Sequence, residues 1–374
     1  MTDPSRTRVV HVVVGGEVGG AERMLAGLAS ASAAGGARGS SGAEHTVALL
    51  SPLDDLGRML RGAGLRVVDG GRAGEGPLHT LVRSFGRADV AWIAGVLRRE
   101  AAHVVHLHTF GSQVVGTRAA LRVGARVVRT EHSTRVYDDP SCWPFSRWSL
   151  ARADVAVAVS QHVRNVAVRK APWARDKLRV VPNGVDVGRF APAGEHPAGP
   201  FAFVLVGRLE PRKGVDLALR ALVEVPGVRL NVVGDGASRA RLEALAAEVR
   251  VNDRVSFHGA VDDVRPFLVR AHAALGSSRS EGLGIALLEA MAMGVPVVSF
   301  AVGGVRETVI DGETGLLARE GDVAALSAAM RRAAAAPDRM RSLGEAGRRR
   351  VVEHFSLDAM CLGYGRVYDE LRER

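Results

Sequence analysis

Residues 273–300 read AALGSSRSEGLGIALLEAMAMGVPVVSF. An apolar run, Ala273–Ser277, gives way to a glycine-containing loop, then to Ile285–Met293, and after Gly294 to a second apolar run, Val295–Phe300. A short aliphatic run bounded by glycine reads as a buried strand; a longer one rich in Ala, Leu and Met reads as a helix. The order is strand, loop, helix, strand. That is the unit of a parallel sheet, whose neighbouring strands need a crossover connection.

The same alternation extends in both directions. Strands are expected at Arg8–Val14, Thr46–Leu50, Arg66–Val68, Val104–His108, Arg126–Thr130, Val155–Ser160 and Arg179–Val181. After a Pro- and Gly-rich stretch, Ala191–Pro200, the pattern restarts with Phe203–Val206, Arg229–Val233 and Arg254–His258 before reaching the quoted segment. Helices such as Ala21–Ala34, Ala88–Ala101, Val215–Leu222 and Ser238–Val249 separate them, and Ala31–Glu44 and Gly70–Gly76 read as loops. The fold class is therefore α/β, with two doubly wound, Rossmann-like domains. Their expected bounds are 1–195 and 196–356, followed by a helix over 357–374 that packs back on the first domain or simply ends the chain. Ligands in such sheets bind beyond the carboxyl ends of the strands, here in an expected interdomain cleft.

Composition narrows the function. The 374 residues carry 50 Lys and Arg against 40 Asp and Glu, a net +10, yet only Lys170, Lys177 and Lys213 are lysines. Residues 1–195 hold 26 basic and 17 acidic residues, a net +9, so nearly all the excess lies in the first domain. Aromatics make up 5% and no basic block is interleaved with them, which argues against nucleic acid. A basic face toward an anionic membrane or a phosphorylated acceptor competes with simple solvated arginines. Two cysteines, Cys142 and Cys361, build neither a disulfide framework nor a thiolate zinc site. No run of 18 apolar residues or signal peptide is present, so the expected location is cytoplasmic, with contact at the inner membrane face as the variant.

Two constellations carry chemistry. In Ser280–Gly294, the backbone amides of Gly282, Leu283 and Gly284 at a helix start form an anion site. Glu281 precedes that helix, placed to accept from hydroxyls. Glu289 lies within it among residues that look buried all round, so a solvated glutamate fits poorly and a diol partner is expected. In Val204–Gly214, a strand ends in glycine and Arg208 and Lys213 follow, two cations suited to a diphosphate. An ordinary basic surface loop is the competing explanation. The loop at Gly15 and Gly16 reads GGEVGG and departs from G-x-G-x-x-G, which argues against a dehydrogenase. His106 and His108 share a strand face, but spacing places no third ligand, so they are expected to line the cleft without a metal. No Asp-x-Asp occurs.

The Glu281-x7-Glu289 spacing, the Gly-Arg…Lys-Gly element and Val181–Asp186 (VPNGVD) resemble the retaining nucleotide-sugar glycosyltransferases of family 4, of GT-B fold. GGEVGGAER (15–23), VVGDG (232–236), FAVGGVRE (300–307) and DGETGLL (311–317) extend the resemblance over nearly the whole chain. It implies transfer of a sugar from a nucleoside diphosphate to an acceptor hydroxyl, with retention and without a required metal or cofactor. Arg208 and Lys213 would hold the diphosphate, aided by the amides at 282–284. Glu281 would contact the transferred sugar and Glu289 the ribose. Gly15 and Gly16 would border the diphosphate, and His132 would lie near the reacting sugar. A UDP-sugar is the expected donor, with GDP-mannose as the alternative. The acceptor is a sugar, a lipid-linked group or a natural product. Competing functions are a nucleotide-sugar epimerase, a phosphorolytic enzyme, and a non-catalytic nucleotide-sugar-binding regulator.

Overall fold

The computed structural model describes residues 6–14, 24–28, 43–50, 54–70, 86–192, 194, 197 and 199–373. The chain forms two compact units, Met1–Gly184 with Leu357–Arg374, and Val185–Ser356. The division falls earlier than the expected boundary after residue 195. Val185 bridges Ser356, its amide bonds the Phe355 carbonyl at 2.9 Å, and the Phe190 carbonyl accepts from Arg348 at 3.3 Å, which ties residues 185–190 to the second unit.

The first unit is a seven-stranded parallel sheet among the described residues, built from β1 (Arg8–Val13), β2 (Glu44–Leu49), β3 (Arg66–Asp69), β4 (Val104–Leu107), β5 (Arg126–Glu131), β6 (Val155–Ala158) and β7 (Leu178–Val180). Its spatial order is β3-β2-β1-β4-β5-β6-β7. Alternate side chains divide between two faces. Val10, Val12, Val105 and Leu107 pack under the helices Ala88–Arg99 and Phe110–Val123. Val9, Val104, Val128, Val155 and Val157 face the C-terminal helix Leu357–Arg372 through Met360, Tyr364, Val367, Tyr368 and Leu371. The local sequence sets the helix Phe110–Val123: Ser112 accepts the Thr109 amide at 3.0 Å at its start, and Gly124 (φ 73°) closes it.

Helix ends also account for part of the positive charge. Arg98 and Arg99, Arg122, Arg152, and Arg169 with Lys170 occupy the last turns of four helices, where cations complement the helix dipole. The helix Phe110–Val123 runs from the carboxyl end of β4 back to the start of β5, so its basic last turn lies at the amino-terminal edge of the sheet.

The second unit contains, among the described residues, a six-stranded parallel sheet: β8 (Ala202–Val206), β9 (Arg229–Val233), β10 (Val255–Phe257), β11 (Ala273–Gly276), β12 (Val297–Phe300) and β13 (Gly315–Ala318). The order is β10-β9-β8-β11-β12-β13, so strand order reverses between β8 and β11. In the first unit the reversal lies between β1 and β4. Both units therefore have the doubly wound topology expected from the strand–helix alternation.

Candidate functional site

In the second unit both singled-out motifs leave the sheet at its reversal point. Gly207–Lys213 follows β8 and Ser277–Gly284 follows β11, two paired strands at the reversal of strand order, whose carboxyl ends are where ligands bind in this topology. The two loops are tied together. The Ser277 hydroxyl donates to the Lys213 carbonyl at 3.1 Å, and the Arg279 amide donates to the Arg212 carbonyl at 2.8 Å. Arg279 also grips Asp216 with two bonds of 2.8 and 2.7 Å, which holds that carboxyl below its ordinary pKa.

Lys213 and Glu281 meet within this frame. The Lys213 Nζ lies 2.6 Å from Glu281 Oε1, which also accepts from the Ser278 hydroxyl at 2.8 Å; Arg212 stands 4.0 Å from Oε2. The Lys213 and Glu281 side chains are only 19% and 14% exposed, so a cation and an acceptor of hydroxyl hydrogens are held in a partly dehydrated place. Arg208 is exposed on the same loop. Close backbone approach requires glycine here: Gly214 has φ +62°, and a Cβ on it would strike the Ser277 carbonyl. A Cβ on Gly304, in the FAVGGVRE segment, would strike the Gly282 carbonyl, so that segment packs directly against the backbone beside Glu281.

Gly284 caps the helix Ile285–Ala292, with Gly282 and the buried Leu283 just before it. The first amides of a helix have no intrahelical acceptor and attract an anion. Glu289 lies in the same helix and is 7% exposed, among Leu287, Leu288, Ala290 and Met291. A cavity of about 320 Å³ in this unit is lined by Phe201, His272 and Pro296, which immediately precede β8, β11 and β12. It therefore opens at the amino-terminal edge, the wrong end of the sheet for the ligands of this topology, and Arg208, Lys213, Glu281 and Glu289 are not among its lining residues.

Gly15 and Gly16 lie outside the described residues. His132 follows β5; both its ring nitrogens are shielded from water without a hydrogen-bond partner, and burial pushes its pKa down to about 4. His106 does not line a cleft as its spacing with His108 suggested, since both its ring nitrogens are engaged within the sheet's covered face. The His106 Nδ1 is 2.7 Å from the Tyr368 hydroxyl, and its Nε2 is 2.7 Å from Thr130 Oγ1. His11 and His45 join them, a third and a fourth histidine that spacing along the sequence does not place. Register explains the cluster: His11 pairs with His106 across β1 and β4, and His45 pairs with Val9, two residues before His11, so all share one face. Nitrogens of His11, His106 and His108 come within 4.8 Å of one another. Spacing within any one strand carries no signal for this grouping. Nearby, Arg129 and Glu131 form a fully buried ion pair at 2.5 Å, with the Arg129 guanidinium also donating to Ser146.

Comparison with known proteins gives two matching family models: "Glycosyltransferase Family 4" over residues 18–189 and "Glycosyl transferases group 1" over residues 189–350. The chain is 36% identical to one component of the phosphatidylinositol N-acetylglucosaminyltransferase of Arabidopsis thaliana, over 58% of this chain and 51% of that one. It thus spans about half the length of that relative. It is also 36% identical to the GDP-mannose-dependent alpha-(1-6)-phosphatidylinositol monomannoside mannosyltransferase of Mycolicibacterium smegmatis, over 64% of this chain and 68% of that one. Among solved structures, the sucrose-phosphate synthase of Thermosynechococcus elongatus superposes with a TM-score of 0.84 at 25% identity, covering 98% of this chain and 100% of that one.

Proposed function

The chain belongs to glycosyltransferase family 4, and on that premise we propose that it transfers a glycosyl group from a nucleoside-diphosphate sugar to an acceptor hydroxyl with retention of configuration. The observation that carries this is the Lys213–Glu281 pair at 2.6 Å, set at the strand-order reversal beside a glycine-capped helix start. Breaking the glycosidic bond leaves negative charge on the diphosphate. In this proposal Lys213, Arg208 and the amides of Gly282, Leu283 and Gly284 meet that charge in place, and no resident metal is needed. Glu281 holds a hydroxyl of the transferred sugar, and Glu289 the ribose diol. His132 stands near the reacting sugar, and Gly15 and Gly16 border the diphosphate.

The step is a displacement on one face. The bond from the anomeric carbon to the diphosphate oxygen breaks, a bond to the acceptor oxygen forms on the same side, and the acceptor proton passes to the leaving phosphate. The donor is a UDP-sugar or GDP-mannose, the latter supported by the name of the mycobacterial relative. The first unit receives the acceptor, a sugar or lipid-linked hydroxyl. Among the described residues no helix is long and apolar enough to cross a membrane. For contact with an anionic membrane surface the proposed face is the arginines at the amino-terminal edge of the first sheet, away from the strand ends that bind ligand. A thermal-shift screen of UDP- and GDP-sugars tests the proposal: a cognate donor raises the midpoint in proportion to ln(1 + [L]/Kd), and a screen flat across every nucleotide sugar at millimolar concentration refutes it.

A further inference from the structure

His45, His11 and His108 form a hydrogen-bonded row: His45 Nδ1 is 2.7 Å from His11 Nε2, and His11 Nδ1 is 2.9 Å from His108 Nε2. The row has two open ends, since His45 Nε2 and His108 Nδ1 are both buried without a partner. His106 stands outside it, its two nitrogens already engaged by Tyr368 and Thr130. Burial and the neighbouring imidazoles hold His11 and His108 well below 6.5, and burial lowers His45 to about 4, so each ring carries one proton at neutral pH.

A neutral imidazole donates once and accepts once. Three in a row are therefore locked together, all protonated on Nδ1 or all on Nε2. In either order one end of the row is a bare N–H and the other a bare lone pair. Unpaired buried N–H groups are the rarer and less tolerated of the two. His45 Nε2 is enclosed within the sheet's covered face, where the nearby ring is that of Tyr368, 6.0 Å away centroid to centroid. His108 lies just past the carboxyl end of β4, at the reversal point of the first sheet, where a ligand can meet its nitrogen. Both end nitrogens are closed to water, but only His108 lies at the ligand-binding ends of the strands, so the order with the lone pair on His45 and the N–H on His108 is the one a ligand can complete.

We infer that His45 and His11 act as positioning residues that fix His108 in the Nδ1–H form, presenting a neutral donor to an uncharged oxygen of a polyhydroxyl ligand. The ligand class rests on the proposed glycosyl transfer; the tautomer order does not. A metal ion in the same cluster would require His11 and His106 to break hydrogen bonds of 2.7–2.9 Å that they already make.

Long-range ¹H–¹⁵N correlation spectra of the full, ligand-free chain with ¹⁵N-histidine, near pH 7.5, test this without any substrate. The expected result is three histidines with the proton on Nδ1 and a bare Nε2, assigned by single replacement. His45→Leu should leave His108 as a mixture of both tautomers. His45→Asn, which keeps a donor near the Nδ1 position, should restore the single form. A His108 protonated on Nε2 in the wild-type protein overturns the inference, and that spectrum decides even where a variant fails to fold. So does stoichiometric uptake of added Zn²⁺ or Co²⁺ that erases the His11 and His108 N–H signals. Failure of every nucleotide sugar to bind would remove the glycosyl-transfer proposal while leaving the tautomer result standing.

Discussion

Replacing Lys213 with alanine separates two consequences. Gross attraction between Lys213 and Glu281 at 2.6 Å is about 6 kcal/mol at an effective dielectric of about 20, most of it offset by desolvation of both groups. Glu281 keeps the Ser278 hydroxyl at 2.8 Å and Arg212 at 4.0 Å, so Lys213→Ala should destabilise the fold by only about 1–3 kcal/mol. The catalytic loss should be larger. A preorganised group facing charge that develops in the transition state typically contributes about 10²–10³ in rate, or about 2.7–4 kcal/mol. Lys213→Arg should fall between, since a planar fork does not reproduce a compact ammonium. The assay is release of the nucleoside diphosphate at saturating donor, beside a urea titration that confirms folding. Turnover within about threefold of wild type in a folded Lys213→Ala protein would refute the diphosphate role.

Other substitutions probe different parts of the molecule. Glu289→Gln should raise the donor's Kd about 10- to 100-fold, as expected for losing a charged hydrogen-bond acceptor; unchanged calorimetric affinity removes the ribose assignment. Tyr368→Phe strips the hydroxyl from His106 in a fully buried place and should cost about 1–3 kcal/mol, a Tm drop of about 2–8 °C; an unchanged Tm contradicts the packing of the C-terminal helix on the first unit. Arg129→Ala abandons Glu131 in the core and should cost about 3–5 kcal/mol by urea titration, while Arg129→Met with Glu131→Leu should recover most of it. Stability should also fall on acidification. His45 titrates near 4 when folded and near 6.5 when unfolded, so the unfolded chain takes up protons first. Its contribution is complete above about pH 6.5 and is lost as pH drops toward 4, amounting to about 2 kcal/mol by pH 5. His11, His106 and His108 act in the same direction. Equal urea midpoints at pH 7 and pH 5 would contradict this.

The alternation that defines both sheets was legible because most strands carry a short aliphatic run bounded by glycine or polar residues, as in VAVA at β6. One exception is β13. Its GLLA follows a turn and lacks β-branched residues, so local pattern does not mark it; pairing with β12 makes it a strand. The motif residues of the second unit were visible as chemistry, but not as a pair. Lys213 and Glu281 are 68 residues apart, and only the adjacency of β8 and β11 brings their loops together. The histidine row was invisible for the same reason. Nothing in the separate segments HVVVG, EHTVA and HLHTF reveals that β1, β2 and β4 align them on one face.

The direct measurement is hydrogen exchange of the full chain with and without the donor identified by thermal shift. The account predicts slowed exchange concentrated in residues 207–214 and 277–289, with little change around Phe201, His272 and Pro296. Protection at that amino-terminal edge instead, or none in residues 207–214 and 277–289 under saturating donor, would contradict it.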